Sequence, residues 1–382
     1  MTTVFLREPD NQPQTHVFII GCGRFPNLRP DGSANSVATA AGARAMARLL
    51  IDQADALIAP LASVEVLISD PSNQPGEDLL AIGPVEHNPR ADDTVSPATE
   101  ANYRAAGDIW VGRCRPGDHM FFYMASHGVA NSDATAVAVL EDVKSTIHRP
   151  WGQTINVTQL ASALPVLGAG GCWVFLDACQ EVIPEILEQI NGVQSPPLIT
   201  PSITDLAKRR ITSVALAGSR LGGTAWAPTD GNPPFFTQAL IEGLRGASVE
   251  HFDGEGWVVT GQQILFNLDR IANAALDNVG LQTEPLAQFN RRVKLLRVDH
   301  PTVPVVIRTA IENHMSIAVS VTASDGNGRV YTKEGNDLSW RFSVEPDMAK
   351  YTASAQFAGP QPAYKDSVFT AFPPAQIVEL TE

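Results

Sequence analysis

The sequence predicts an α/β fold built on a mostly parallel sheet, followed by a small all-β sandwich. Three observations carry that expectation. From residue 16 to residue 298, short apolar β-rich runs alternate with stretches of helical spacing. Those runs are apolar throughout instead of alternating, the pattern of strands covered on both faces. After His300-Pro301 the helical spacing disappears, and strand-like runs follow one another between Asn, Gly, Asp and Pro. At roughly 150 residues per domain, the 382 residues suffice for two or three. The expected division is an N-terminal extension over 1–15, an α/β domain over 16–299 and a β-sandwich over 300–382.

The first strand is expected at 16–21, HVFIIG. A Gly/Pro-rich loop leads to an Ala-rich stretch at 33–51, where Val37, Ala41, Met46, Leu49 and Leu50 fall near helical spacing and predict a helix over the sheet. VEVLIS at 64–69 is the second strand, followed by a polar loop over 70–97 and a helix near 98–113. Pro116-Gly117-Asp118 then turns the chain into HMFFYMA at 119–125, the third strand. TAVAVLEDV at 135–143 reads as a strand, VTQLASALPVL at 157–167 as a helix and CWVFL at 172–176 as a strand. A looser stretch over 180–202, with four prolines, precedes the strand ITSVALAG at 211–218 and the helix PFFTQALIEGL at 234–244. One more helix is expected over 261–277, and VKLLRV at 293–298 is the last strand of this part. Such β-α-β succession implies crossover connections and parallel neighbours. Beyond 300, VPVVIRTA, MSIAVSVTA, RVYTKE, LSWRFSV, KYTASAQFA and SVFTAFPPAQIVEL supply the strands of the sandwich.

Composition narrows the function. The chain is 44% hydrophobic and 18% charged, as globular proteins are, and 27 Lys+Arg against 41 Asp+Glu leave a net charge of -14. That field repels phosphate backbones and anionic lipid, so neither nucleic acid nor membrane is an expected partner. Cys22, Cys114, Cys172 and Cys179 are too few for a disulfide framework, which points to a reducing, cytoplasmic location. No cysteines stand at C-x-x-C spacing and no histidines at H-x-x-x-H spacing, and no cofactor is expected. The N-terminus lacks a basic stretch followed by a long apolar one, and no apolar run is long enough to span a bilayer.

In an open parallel sheet, functional side chains gather at the carboxyl edge, where strands end and loops begin. Two ends stand out: HMFFYMA runs into Ser126-His127-Gly128, and CWVFL into Asp177-Ala178-Cys179-Gln180. If these strands are parallel neighbours, His127 and Cys179 emerge at one edge with the imidazole in reach of the thiol. A thiol of ordinary pKa near 8.5 needs such a base to yield the nucleophilic thiolate. Gly128 has no Cβ, so a substrate carbonyl can approach its N–H, which with the N–H of Cys179 makes a candidate oxyanion hole.

The stretches F-F-Y-M-A-S-H-G at 121–128 and V-F-L-D-A-C-Q at 174–180 resemble the motifs of the caspase-like cysteine peptidases, the C14-type domain of caspases, metacaspases and paracaspases. His127 precedes Cys179 by 52 residues, near the roughly 50 of caspases; papain-like enzymes have the reverse order. The opening V-F-I-I-G-C-G-R-F-P-N-L, the L-A-G-S-R…T-A-W segment at 216–226 and F-F-T-Q-A-L-I-E-G-L extend the likeness over about 16–298. The resemblance implies a caspase-like three-layer sandwich and a cysteine endopeptidase with His127 and Cys179 as catalytic pair and Gly128 and Cys179 as oxyanion donors. Metacaspases and paracaspases, which cut after Arg or Lys, carry a carboxylate two residues before the nucleophile, where Asp177 stands. Asp177, with Asp31 and Ser219, is therefore the expected substrate pocket. Ala227 falls where caspases commonly have the arginine of S-W-R, which disfavours cleavage after Asp. Metacaspases usually have an N-D pair at the start of the first helix; here Asn35 is followed by Ser36, and Asp31 is the candidate substitute. A bacterial protein of this kind with an appended sandwich is similar to components of stress, cell-death or antiphage systems, so a protein substrate and an activating protein partner are expected.

Other readings stand beside these. Asp177 also fits a structural cap or hydrogen-bond acceptor. The alternative function is a catalytically silent caspase-fold scaffold whose sandwich binds a partner, and the sandwich fits a plain stabilising role as well. Lys208-Arg209-Arg210, or the loop around Lys144 and Arg149, is the candidate self-cleavage site. Glu141-Asp142 offers two carboxylates, short of the about six to eight oxygens calcium takes. Gly21-Cys22-Gly23 lacks the third glycine of a dinucleotide loop, and Pro26 interrupts the helix start. His119, His148, His300, Cys22, Cys114 and Cys172 read as structural.

Overall fold

In a computed structural model of the chain, the apolar runs of the first part line up in a seven-stranded sheet. The structure describes residues 2–29, 31–72, 95–131, 133–183, 196–202, 205, 212–252, 254–275, 281–287, 292–311, 314–315, 318–325, 328–333, 340–344, 350–357 and 364–382. The elements in chain order are β1 (Thr3–Leu6), β2 (Thr15–Cys22), α1 (Val37–Asp52), β3 (Leu61–Ser69), α2 (Glu100–Arg113), β4 (His119–Ala125), β5 (Gly128–Ala130), β6 (Ala136–Val139) and β7 (Thr154–Asn156). There follow α3 (Val157–Ala163), β8 (Gly171–Asp177), β9 (Ser213–Ala217), α4 (Phe235–Glu242), β10 (Val249–Phe252), β11 (Gly256–Thr260), α5 (Gly261–Ala275), β12 (Glu284–Pro285) and β13 (Lys294–Arg297). The chain divides into two compact units, one of Met1–Ile241, Thr260–Leu265 and Leu281–Leu296, the other of Glu242–Val259, Phe266–Gly280 and Arg297–Glu382.

Strand order in the large sheet is β1-β3-β2-β4-β8-β9-β12. The five inner strands are parallel, and antiparallel β1 and β12 close the edges. The chain runs from β2 outward to β3, then crosses back over β2 to reach β4. Connections leaving β2 and β4 therefore diverge at their carboxyl ends, where the topology of such sheets puts a crevice and the usual ligand position. Successive side chains of each strand serve opposite faces. Phe18, Phe122 and Val174 share one core with Tyr103 and Trp110 of α2 and Leu160 of α3. On the other face Tyr123 meets Thr237 of α4, and α1 packs against β2, β3 and β4. This is a mixed α/β architecture with a mostly parallel central sheet between two helical layers. Strands covered twice have no polar side to alternate, which is why they read as unbroken apolar runs.

Several local differences from the sequence expectations have physical reasons. The first strand is β1, ahead of the expected start at 16; it is four residues long, too short for its alternation to register. Pro165 has no N–H for the Ala161 carbonyl, so α3 stops at Ala163 and a 3-10 turn ends at Gly168 with φ 75. The strand expected over 135–143 keeps only Ala136–Val139, because Val143 N–H turns back to Leu140 O and Lys144 N–H to Pro150 O. VKLLRV forms β13 outside the sheet: Leu296 bridges Leu57, while β12 takes the edge position beside Leu216 and Ala217. Most of the loop at 70–97 and of the stretch at 180–202, the end of the helix at 276–277, and Lys208-Arg209-Arg210 lie outside the described residues.

The second unit contains β14 (Val303–Thr309), β15 (Ala318–Asp325), β16 (Val330–Thr332), β17 (Trp340–Val344), β18 (Lys350–Phe357), β19 (Ser367–Thr370) and β20 (Gln376–Leu380). They form the sheets β17-β14-β20 and β16-β15-β18-β19, whose side chains meet in one core that includes Val305, Ile307, Val321, Tyr351 and Leu380. The run SVFTAFPPAQIVEL is two strands, broken at Pro373-Pro374, where two consecutive residues lack the N–H a ladder needs. Among the described residues no helix is long and apolar enough to cross a membrane.

Candidate active site

The carboxyl ends of β4 and β8 fix the position of the two residues singled out above. The strands pair in parallel up to Ala125↔Asp177, and past their ends Val129 bridges Glu181 in the same sense. His127 and Cys179, midway between those pairs, therefore stand level at the carboxyl edge beside the crevice at β2. Ser126 N–H donates to Asp177 O at 3.1 Å and Ala130 N–H to Glu181 O at 3.0 Å. Gly128 lies between these donors. Among the described residues the Cys179 N–H donates to no main-chain acceptor. A Cβ on Gly128 would sit 2.5 Å from Cys179 O and 2.8 Å from Ala178 Cβ, so any larger residue would push the two strand ends apart.

The loop after β2 holds the imidazole. Ser36 N–H donates to Gly23 O at 2.8 Å and Asn35 N–H to Gly32 O at 2.9 Å, folding the loop on itself. At Gly23 a Cβ would lie 2.0 Å from Ser36 O, so this closure requires glycine. Phe25 N–H donates to Asn35 Oδ1 at 2.9 Å. The fold of the loop brings Ala34 O to 2.6 Å from His127 Nε2 and the buried Phe25 ring to 4.8 Å from the imidazole, centroid to centroid. With a carbonyl as its partner, Nε2 carries the proton, and neutral His127 presents Nδ1 as its lone pair.

The thiol is covered from the other side. Ala225 N–H donates to Cys179 Sγ at 3.3 Å. Its loop is clasped by Gln180: Gln180 N–H donates to Gly223 O at 2.9 Å, Gly222 N–H donates to Gln180 O at 2.8 Å, and Gln180 Nε2 donates to Ser219 O. Burial raises the Cys179 thiol above its ordinary pKa; the Ala225 N–H opposes this and the Glu181 and Asp177 carboxylates add to it. At neutral pH the resting thiol is thus protonated. Burial pushes Cys114 and Cys172 up to about 12 and Cys22 well above the thiol range.

Asp177 lies beneath Cys179, 3% exposed. Its Oδ2 accepts from Thr237 N–H at 3.0 Å and Thr237 Oγ1–H at 2.5 Å, and Tyr123 O–H in turn donates to Thr237 Oγ1. Burial raises its carboxyl to about 6 against those two hydrogen bonds. Among the described residues no cation forms an ion pair with it. Ser219 is also buried, its Oγ–H donating to Ala178 O at 2.8 Å. Asp31 is exposed on the loop after β2, where Ser33 N–H and Oγ–H hold its carboxyl below the ordinary value. The structure thus gathers His127, Gly128 and Cys179 at one edge, sets Asp177 and Ser219 under the Ala178-Cys179 segment, and leaves Asp31 bonded to its own loop. Glu141 receives Arg24 and Ser69, and Asp142 receives Glu100 N–H. Among the described residues no cluster of three or more His, Cys, Asp or Glu is arranged to hold a metal ion.

Three groups at the site are absent from the sequence reading: the Phe25 ring, the Ala34 carbonyl and the Ala225 N–H. Two are backbone atoms, which no residue type announces. The one signal for them is position, a Gly/Pro-rich loop at the carboxyl end of a buried strand.

No family model matches the chain. The uncharacterized protein y4kE of Sinorhizobium fredii is 32% identical over 169 residues, 42% of this chain, and the match spans 45% of that protein's length. Similar solved structures include protein GSU0716 of Geobacter sulfurreducens, with TM-score 0.41 and 13% identity over 75% of this chain and 98% of that one. Caspase-1 of Spodoptera frugiperda gives TM-score 0.41 and 13% identity over 74% of this chain and 90% of that one. Likenesses so slight carry no chemistry across.

Proposed function

We propose that the chain is a cysteine endopeptidase of caspase-like type that cuts a protein substrate after Arg or Lys. The observation behind this reading is the level register of His127 and Cys179 on adjacent parallel strands, bracketed by Ala125↔Asp177 and Val129↔Glu181. Cys179 Sγ gives its proton to His127 Nδ1, and the thiolate adds to the scissile carbonyl carbon as the carbonyl π pair moves onto oxygen. The N–H groups of Gly128 and Cys179 receive that oxyanion. The imidazolium protonates the leaving amine; His127 then takes a proton from water, whose oxygen displaces the thiol from the thioester. Asp177 supports the basic preference, because a buried carboxylate with no ion-pair partner among the described residues gains most from a guanidinium or ammonium.

A second reading has its own observation. Burial holds the Cys179 thiol protonated, as suits a silent scaffold. Turnover of a fluorogenic peptide mixture varied at the residue before the cut separates the two. The peptidase reading expects cleavage after Arg and Lys by the wild type and none by Cys179→Ala. Equal, background cleavage by both proteins is the scaffold's result.

A further inference from the structure

We propose that Asn35 is a positioning residue for His127, and this rests on the peptidase reading above. The crevice between β2 and β4 is where the loop after β2 meets the residue after β4, and that loop touches the imidazole twice. Ala34 O takes the Nε2 proton at 2.6 Å, and the Phe25 ring lies 4.8 Å from the imidazole centroid, tilted by 46°. Phe25 and Ala34 come from opposite limbs of the loop. The side-chain hydrogen bond that ties the limbs together is Phe25 N–H to Asn35 Oδ1 at 2.9 Å. Asn35 adjoins Ala34, and its own N–H is fixed on Gly32 O at 2.9 Å. One amide oxygen, alongside the main-chain bond from Ser36 N–H to Gly23 O, thus helps set the spacing between the ring that packs on the imidazole and the carbonyl that chooses its tautomer.

Both contacts bear on proton transfer. The Ala34 carbonyl keeps the proton on Nε2 and turns Nδ1 toward acceptance, while the Phe25 ring restricts rotation of the imidazole. If the limbs separate, the imidazole gains rotational freedom and Nδ1 spends less time aligned with the thiol. Asn35 touches neither substrate nor reacting atom, so its effect runs through His127 alone. The requirement is for a short side chain with an acceptor oxygen. Asp meets it; Ala does not. Asn35 is exposed, so its substitution leaves the core intact.

The test is the pH dependence of iodoacetamide alkylation at Cys179, resolved by peptide mapping, in the full chain and in His127→Ala, Asn35→Ala and Asn35→Asp. Near-UV circular dichroism establishes that all four are folded. The wild type should react faster than His127→Ala near neutral pH, because the imidazole is the base that takes the thiol proton. Asn35→Ala should lose about five- to tenfold of that excess, the effect of one hydrogen bond, and Asn35→Asp should restore it. With peptide substrate, Asn35→Ala should lower kcat and leave KM unchanged. An Asn35→Ala profile that superimposes on the wild type, with His127→Ala still slower, overturns the role of Asn35 and spares the dyad. Superimposed profiles for the wild type and His127→Ala overturn both.

Discussion

Gly128 is the residue with the least room to change. A methyl group there meets Cys179 O at 2.5 Å on backbone that is already paired on both sides. Gly128→Ala should therefore destabilise the fold by about 1–3 kcal/mol, read from urea denaturation, and in the peptidase reading it should abolish peptide turnover. Asp177 makes a pH prediction. Its carboxyl is raised to about 6 by burial, from about 3.9 when unfolded. Between those values the folded chain holds the extra proton, so ionising Asp177 costs stability as the pH climbs through the window and protonation restores it as the pH falls. Asp177→Asn should remove this contribution, on the order of 3 kcal/mol, and the urea midpoints of the two proteins should separate between pH 4 and 7. In the peptidase reading, kcat/KM for Arg substrates should rise with a midpoint near 6 in the wild type and lose that step in the variant. Asp177 was legible as a carboxylate two residues before Cys179. Its partner Thr237 was not, because that contact joins positions 60 residues apart and belongs to tertiary packing alone.

At the scale of elements, α4 is pinned where Thr237 joins Asp177 to Tyr123. Thr237→Val deletes the hydroxyl donor to Asp177 and the acceptor for Tyr123 O–H while preserving shape and the main-chain N–H donor. It should cost about 1–3 kcal/mol, the penalty for buried polar groups left unpaired. It should also move the Asp177 step to higher pH, since that hydrogen bond holds the carboxyl down. The elements themselves divided by how fully they are covered. β2, β3, β4 and β8 were plain in the sequence because burial on both faces leaves only apolar residues. β1 and β12, edge strands of four and two residues, carry too few side chains to show a period. The loop after β2 was legible as a loop and illegible as a bracket for His127, since its working atoms include a main-chain carbonyl.

For the whole molecule, the five parallel strands and their two helical layers make the inner strands the most protected part of the first unit. The slowest amide hydrogen exchange should fall in β2, β4 and β8, with the loop carrying Ala225 among the faster segments. Faster exchange in β4 than in that loop would mean that the sheet does not organise the unit. The strand order that brings β4 beside both β2 and β8 was not readable from the periodicity of any one segment. It follows from which runs pair, and this alone turns two motifs 52 residues apart into neighbours.

The most direct measurement is trapping of the nucleophile. The wild type, His127→Ala and Cys179→Ala would be incubated with a peptidyl acyloxymethyl ketone ending in Arg, followed by intact-mass analysis and peptide mapping. A working dyad gives one adduct per chain on Cys179 in the wild type, sharply slowed in His127→Ala and absent in Cys179→Ala. No adduct in the wild type, or one whose rate ignores His127, would contradict it.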